Sequence, residues 1–102
     1  MPLQFNTVKL FAGSGTLELA DKISKSYGKP LGDMTLSKFS DGEIQPFYNE
    51  SVRGSDIFLI QSTNQPTDNL LELLLMIDAA KRDSAHYITV VVPYLGYARQ
   101  DR

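Results

Sequence analysis

The chain of 102 residues is long enough for one modest domain, and its 42% hydrophobic and 22% charged content is ordinary globular usage with apolar material for a single core. A formal net charge of −2 excludes non-specific nucleic-acid binding through the global field, so any anion site must be built from local basic residues. The absence of cysteine excludes disulfides and thiolate metal sites, a single histidine, His86, excludes a His-rich metal cluster, and neither a secretory leader nor a membrane-length apolar stretch is seen, so a soluble cytoplasmic protein without a membrane partner is expected.

Short apolar runs alternate with helical patterns, which argues for an α/β fold with an open, mostly parallel sheet flanked by helices. Val8-Lys9-Leu10-Phe11-Ala12 reads as the first strand. Gly13-Ser14-Gly15 reads as a turn, with Thr16 as N-cap of a helix running to about Tyr27. Thr16, Leu19, Ala20, Ile23 and Tyr27 share one face of that helix, and Gly28 ends it with Pro30 close behind. Met34 to Phe39 and Ile44 to Tyr48 are the second and third strands, around the turn Ser40-Asp41-Gly42-Glu43. Ile57 to Gln61 is a fourth strand, apolar through its middle and so expected to be covered on both faces. Thr67 or Asp68 caps the next helix, "NLLELLLMIDAAKR", which is apolar around most of its circumference. One face is expected to meet the sheet and the other something outside this chain. His86 to Val92 is the last strand, and Val90-Val91-Val92 is expected at the middle of the sheet.

In open α/β sheets ligands bind beyond the carboxyl ends of the strands. Those ends carry Gly13-Ser14-Gly15, Phe39 to Glu43, Gln61 to Asn64, and Pro93 to Arg102. The last is richest. Arg99 and Arg102 offer planar donor forks for phosphate, Gln100 can donate or accept, and Asp101 can hold a metal or an arginine; a solvated loop is the bland alternative. "AGSGT" follows a strand and opens a helix, so its amides can cradle a phosphate, but it lacks the P-loop and dinucleotide glycine patterns and reads better as a plain turn. In "FSDGE", Phe39 can stack on a flat base while the turn offers acceptors to an amino group; exposed acids on a turn are the alternative. Arg53 either binds an anion or pairs with Glu50 or Asp56. His86 reads as a half-exposed structural residue.

"KFSDGEIQ", "ESVRGSDIFLIQST", "NLLELLLMIDAAKRDSA" and "VVPYLGYARQDR", in this order and spacing, resemble the ribose-phosphate diphosphokinases, the phosphoribosyl pyrophosphate synthetases, from Val8 onward. The bacterial-type, phosphate-regulated class is the nearest, with "QPFYN" a less typical filling of the third strand. The resemblance implies transfer of the diphosphoryl group of ATP to the anomeric hydroxyl of ribose 5-phosphate, giving phosphoribosyl pyrophosphate and AMP with Mg²⁺. It implies adenine contacts from the turn of Phe39, Asp41, Gly42 and Glu43, reaching a neighbouring subunit's site, and ATP contacts from Arg99 and Gln100. Asp101 and Arg102 would shape the start of a mobile catalytic loop. Ser51 and Arg53, with Lys81, Arg82 and Ser84, match the allosteric site where phosphate activates and ADP inhibits. A homo-oligomer is implied, hexameric in the full-length family.

Family members are about three times longer, with two similar domains, so the chain reads as an N-terminal α/β domain spanning residues 1–102 and stopping where the catalytic loop begins. The catalytic and metal-binding residues are then expected outside it, and the fragment alone is expected to be inactive. A non-catalytic regulatory subunit associated with the synthetase is the alternative, against which intact "FSDGE" and "ARQDR" speak. An unrelated flavodoxin-like nucleotide-binding or interaction domain is a third reading.

Overall fold

A computed structural model describes residues 7–63 and 68–93. Its elements in chain order are β1 (Val8–Ala12), a 3-10 turn (Ser14–Thr16), α1 (Leu17–Tyr27), β2 (Met34–Lys38), β3 (Ile44–Tyr48), β4 (Asp56–Ile60), α2 (Asp68–Arg82) and β5 (Tyr87–Val91). Strands β1, β4 and β5 form a parallel sheet in the order β1-β4-β5, with Leu10 opposite Phe58 and Phe58 opposite Thr89. Strands β2 and β3 stand apart as an antiparallel hairpin, Met34 opposite Tyr48 and Lys38 opposite Ile44. The α/β class is as expected from the alternation of short apolar runs and helical patterns.

The centre of the sheet is β4, not Val90-Val91-Val92. Ile57, Leu59 and Ile60 are all but inaccessible, whereas Tyr87 is 65% exposed and Thr89 is also exposed. Valine favours a pleated, half-buried surface and does not by itself report which strand has two neighbours. The alternation along β5, with Ile88 and Val90 packed on the core and Tyr87 and Thr89 outward, is that of a strand covered on one face.

Beyond β1, on the edge away from β4, Leu31 makes a parallel bridge to Leu10, and Gly32 N–H donates to the Leu10 carbonyl at 2.6 Å. The chain therefore leaves β1 in one direction through α1 and continues from β4 to β5 in the other through α2. Right-handed crossovers then put the two helices on opposite faces. Side chains agree: Phe11, Ile57 and Leu59 share a core with Leu73, Met76 and Ala80 of α2, while Leu10, Ile60 and Ala20 of α1 are buried outside that cluster.

Helix α1 buries a narrower stripe than expected. Ala20 and Ser24 are buried and Ile23 is half-buried, but Leu19 and Tyr27 face solvent at 41% and 60% exposure. Ser24 goes inside because its polar groups close the helix end: its carbonyl accepts from Gly28 and Lys29 N–H, and its hydroxyl donates to the Lys29 carbonyl. Gly28, at φ 85°, makes the left-handed exit that glycine supplies without steric cost. Thr16 occupies the N-cap position without a side-chain cap; its hydroxyl donates instead to the Ile60 carbonyl, 3.3 Å away.

The hairpin lies on α2. Tyr48 Oη donates to the Met76 carbonyl at 2.7 Å, and its ring meets Phe11 edge-on at 4.7 Å. Burial, helped by the charge of Asp83, pushes the Tyr48 phenol above its ordinary pKa. Phe39 N–H to the Glu43 carbonyl at one end and Asn49 N–H to the Asp33 carbonyl at the other fix the ladder's alternation. The Leu36–Pro46 pair then falls at a non-hydrogen-bonded position, so Pro46 turns its nitrogen away from β2 and interrupts no rung. On α2 itself Leu71 and Leu74 remain 44% and 53% exposed, which matches a helix apolar on more faces than this chain covers. Of its two expected caps, Thr67 lies outside the described residues.

Candidate functional site

Two clusters of polar residues form at opposite ends of the sheet. At the carboxyl end the turn after β1 is tied to the residue after β4. Gly13 N–H donates to the Ile60 carbonyl at 2.9 Å, and Gln61 N–H to the Val91 carbonyl at 3.1 Å. Above this junction sits a buried polar network around Glu72 of α2, which is 5% exposed. Glu72 Oε1 accepts from Ser14 N–H at 2.6 Å and from Gln61 Nε2 at 2.7 Å, and Oε2 accepts from Ser14 Oγ at 2.7 Å. Gln61 Oε1 accepts from Gly15 N–H at 3.0 Å, and its Nε2 also donates to the Asn69 carbonyl at 3.2 Å. No buried side-chain polar atom among the described residues lacks a partner. The turn amides are therefore already occupied, and the plain-turn reading of "AGSGT" holds over the phosphate cradle.

Sequence reasoning did not single out Gln61, Asn69 and Glu72 as a unit. A signal was available: Asn69, Glu72, Leu73, Met76 and Ala80 follow helical spacing on one face, so an acid sits on the stripe that goes inside.

Near this rim stands the hairpin tip. Gly42, at φ 89°, makes the turn; Gly42 N–H donates to the Phe39 carbonyl at 2.8 Å and Glu43 N–H to Asp41 Oδ1 at 3.0 Å. Phe39 is left 47% exposed, and the carboxylates of Asp41 and Glu43 are exposed beside it. A flat aromatic face and two acids on one rigid turn suit a planar ligand bearing an amino group. Between the hairpin stem, with Leu36, Lys38 and Ile44, and the rim, with Ser14, Asn69 and Glu72, lies a pocket of about 300 Å³. Strand β5 ends on this rim; Arg99, Gln100, Asp101 and Arg102 lie outside the described residues.

At the amino end of the sheet the loop of Ser51 and Arg53 meets the turn after α2. Gly54 N–H donates to the Ser84 carbonyl at 2.8 Å, and His86 N–H to the Ser55 carbonyl at 2.7 Å. Gly54 and Ser84 both hold positive φ, 71° and 66°. Neither pairing foreseen for Arg53 forms. Glu50 is taken by Lys9 Nζ at 2.7 Å and by Asp33 N–H at 2.7 Å, and Asp56 faces His86 Nδ1 at 2.8 Å. The Arg53 guanidinium, on an exposed residue, makes no ion pair among the described residues. His86 is half-exposed, with its ring on Asp56. Arg82 lies back against Asp78, one helical turn away, at 3.3 Å, and Lys81 is exposed. The fold thus brings Ser51, Arg53 and Ser84 to one end, far along the strands from the Phe39 turn.

A family model described as the N-terminal domain of ribose phosphate pyrophosphokinase matches residues 8–102. The chain belongs to this family. It is 59% identical over 97 residues to a ribose-phosphate pyrophosphokinase of Porphyromonas gingivalis, covering 95% of this chain and 31% of that protein. It is 62% identical over 95 residues to one of Chlorobaculum tepidum, covering 93% and 29%. The fold is similar to the crystal structure of phosphoribosylpyrophosphate synthetase from Mycobacterium smegmatis, with a TM-score of 0.88 and 44% identity over 95% of this chain and 33% of that one. The chain spans about a third of the length of these relatives. Both polar clusters and the hairpin fall inside the segment matched by the ribose phosphate pyrophosphokinase family. Among the described residues no group of three or more His, Asp or Glu side chains is placed to hold a metal ion, and no helix is long and apolar enough to cross a membrane.

Proposed function

We propose that this chain supplies part of the nucleotide site of a ribose-phosphate diphosphokinase, which transfers the diphosphoryl group of ATP to ribose 5-phosphate. The observation that carries the reading is the exposed Phe39 on the Asp41-Gly42-Glu43 turn at the carboxyl rim, within a family match covering residues 8–102. Phe39 stacks on adenine, and the acidic turn accepts from its amino group. Arg99 and Gln100 take the phosphate and ribose side, and Asp101 and Arg102 begin the catalytic loop. Mg²⁺, when bound, neutralises phosphate charge; its ligands belong to polypeptide outside this chain, as do the reacting side chains. The chain is then an N-terminal domain that has no turnover alone, in a cytoplasmic homo-oligomer; exposed Leu71 and Leu74 support an assembled state.

At the other end, Ser51, Arg53 and Ser84, with Arg82 alongside, form the effector site for phosphate and ADP. The exposed Arg53 guanidinium, which has no ion pair among the described residues, beside two serines, supports it. The central test is Phe39→Ala. ATP affinity should fall by an amount on the scale of base–aromatic stacking, about 1–3 kcal/mol, with the circular dichroism spectrum unchanged. Unchanged ATP affinity would remove the adenine role, and turnover of ATP and ribose 5-phosphate by this chain alone would remove the claim that it is incomplete.

A further inference from the structure

The turn after β1 has the donors of an anion site, and one of this chain's own carboxylates is already on them. Ser14 N–H and Ser14 Oγ both donate to Glu72, and Gln61 Nε2 adds a third hydrogen bond to the same carboxylate. A carboxylate engaged by three donors acts as an acceptor through both oxygens, as a phosphate would. The neighbouring amide, Gly15 N–H, is spent on Gln61 Oε1. Space is equally committed. A Cβ on Gly13 would lie 2.4 Å from Gln61 Cδ, and one on Gly15 would lie 2.7 Å from Asn69 Nδ2, so two amide side chains already press against the turn. Gln61 cannot readily swing away, since its backbone N–H holds the Val91 carbonyl and its side chain also donates to the Asn69 carbonyl. Glu72, Gln61 and Asn69 are each under a tenth exposed, so water does not compete readily for these hydrogen bonds.

We propose that Glu72 is a specificity-determining residue: its carboxylate holds the place of an anion on the Ser14–Gly15 turn and so confines the phosphates of a nucleotide to the other strand ends of the same rim. The turn lies where doubly wound sheets commonly receive ligands, at the switch point where the connections from β1 and from β4 run in opposite directions. An empty turn there would compete for the diphosphoryl group. With Glu72 in place, and with Gln61, Ser62 and Thr63 after β4 themselves buried, the end of β5 is the strand end of this sheet left for phosphate. The identity of the nucleotide rests on the function proposed above; the exclusion of phosphate from the turn does not.

The experiment is a titration of the ¹⁵N-labelled chain with inorganic phosphate, and separately with ATP, followed by amide resonances. In the unmodified chain the Ser14 and Gly15 signals should stay fixed. In Glu72→Ala they should move saturably, with phosphate affinity at that turn raised at least about tenfold, while Leu59 and Met76 signals report an intact core. A saturable shift of Ser14 and Gly15 in the unmodified chain would overturn the proposal, and so would a folded Glu72→Ala chain that gains no phosphate binding. Should Glu72→Ala fail to fold, the unmodified titration decides alone: fixed signals support exclusion and moving ones refute it. If ATP leaves Gly42 and Glu43 unmoved, the adenine reading fails while the Glu72 result stands.

Discussion

Glycine at position 13 is required by what stands opposite it, since any side chain there would run into the buried amide of Gln61. Gly13→Ala should therefore destabilise the fold by about 1–3 kcal/mol, seen as a lower urea midpoint at unchanged slope, because overpacking displaces a group that holds four hydrogen bonds. A milder effect is expected at Glu50. Its hydrogen bond from Lys9 Nζ, reinforced by Asp33 N–H, holds the carboxyl below the usual carboxylate range. A carboxyl with a lowered folded pKa stabilises the protein above its unfolded pKa, and that contribution is lost as pH falls through the folded value. Lys9→Met should cost up to about 1 kcal/mol at neutral pH, typical of a partly exposed pair, and its stability should converge with the parent's in acid, read from urea midpoints across pH. Much of the Phe39 turn was legible, because an aromatic beside two acids and a glycine is conspicuous in one short segment. The Glu72 network was not: its members lie 58, 11 and 8 residues apart in sequence pairs, and an acid inside a leucine run looks like a solvated position until the fold turns it inward.

Helix α2 separates side chains that look alike in sequence. Met76 is fully buried under the hairpin, and Met76→Ala should cost about 2–5 kcal/mol through the cavity it leaves. Leu74, 53% exposed, has little to lose, and Leu74→Ala should change stability by no more than about 0.5 kcal/mol in the same denaturation experiment. Equal costs would mean that this face is covered within the chain. Element positions were readable to within a residue for most strands and both helices, since periodicity and the Gly28 exit mark them. Strand order was not, because pairing partners are chosen in three dimensions. Three adjacent valines suggested a centre, yet β4, with its mixed isoleucine, phenylalanine and leucine, has the two neighbours. The buried face of α1 was misjudged for a related reason: Ser24 is drawn inside by hydrogen bonds that its hydropathy does not announce.

Across the whole molecule the two polar clusters divide along the strands, and their chemistry should divide too. Arg53→Ala should abolish phosphate-induced shifts at Ser51 and Ser84 while ATP-induced shifts at Gly42 and Glu43 persist, both followed by amide resonances of the chain. Loss of both together would join the two ends into one site. The edges of the β2–β3 hairpin present a different physical problem. The hairpin is two strands wide, and an open strand flank invites unrelated chains to zip onto it. Pro46 bears on this. With its ring nitrogen pointing outward from the middle of β3, the flank lacks the donor a docking strand would need at that rung. Substituting this proline by valine would leave the hairpin's own ladder whole yet restore the missing N–H, trading colloidal solubility for an adhesive border.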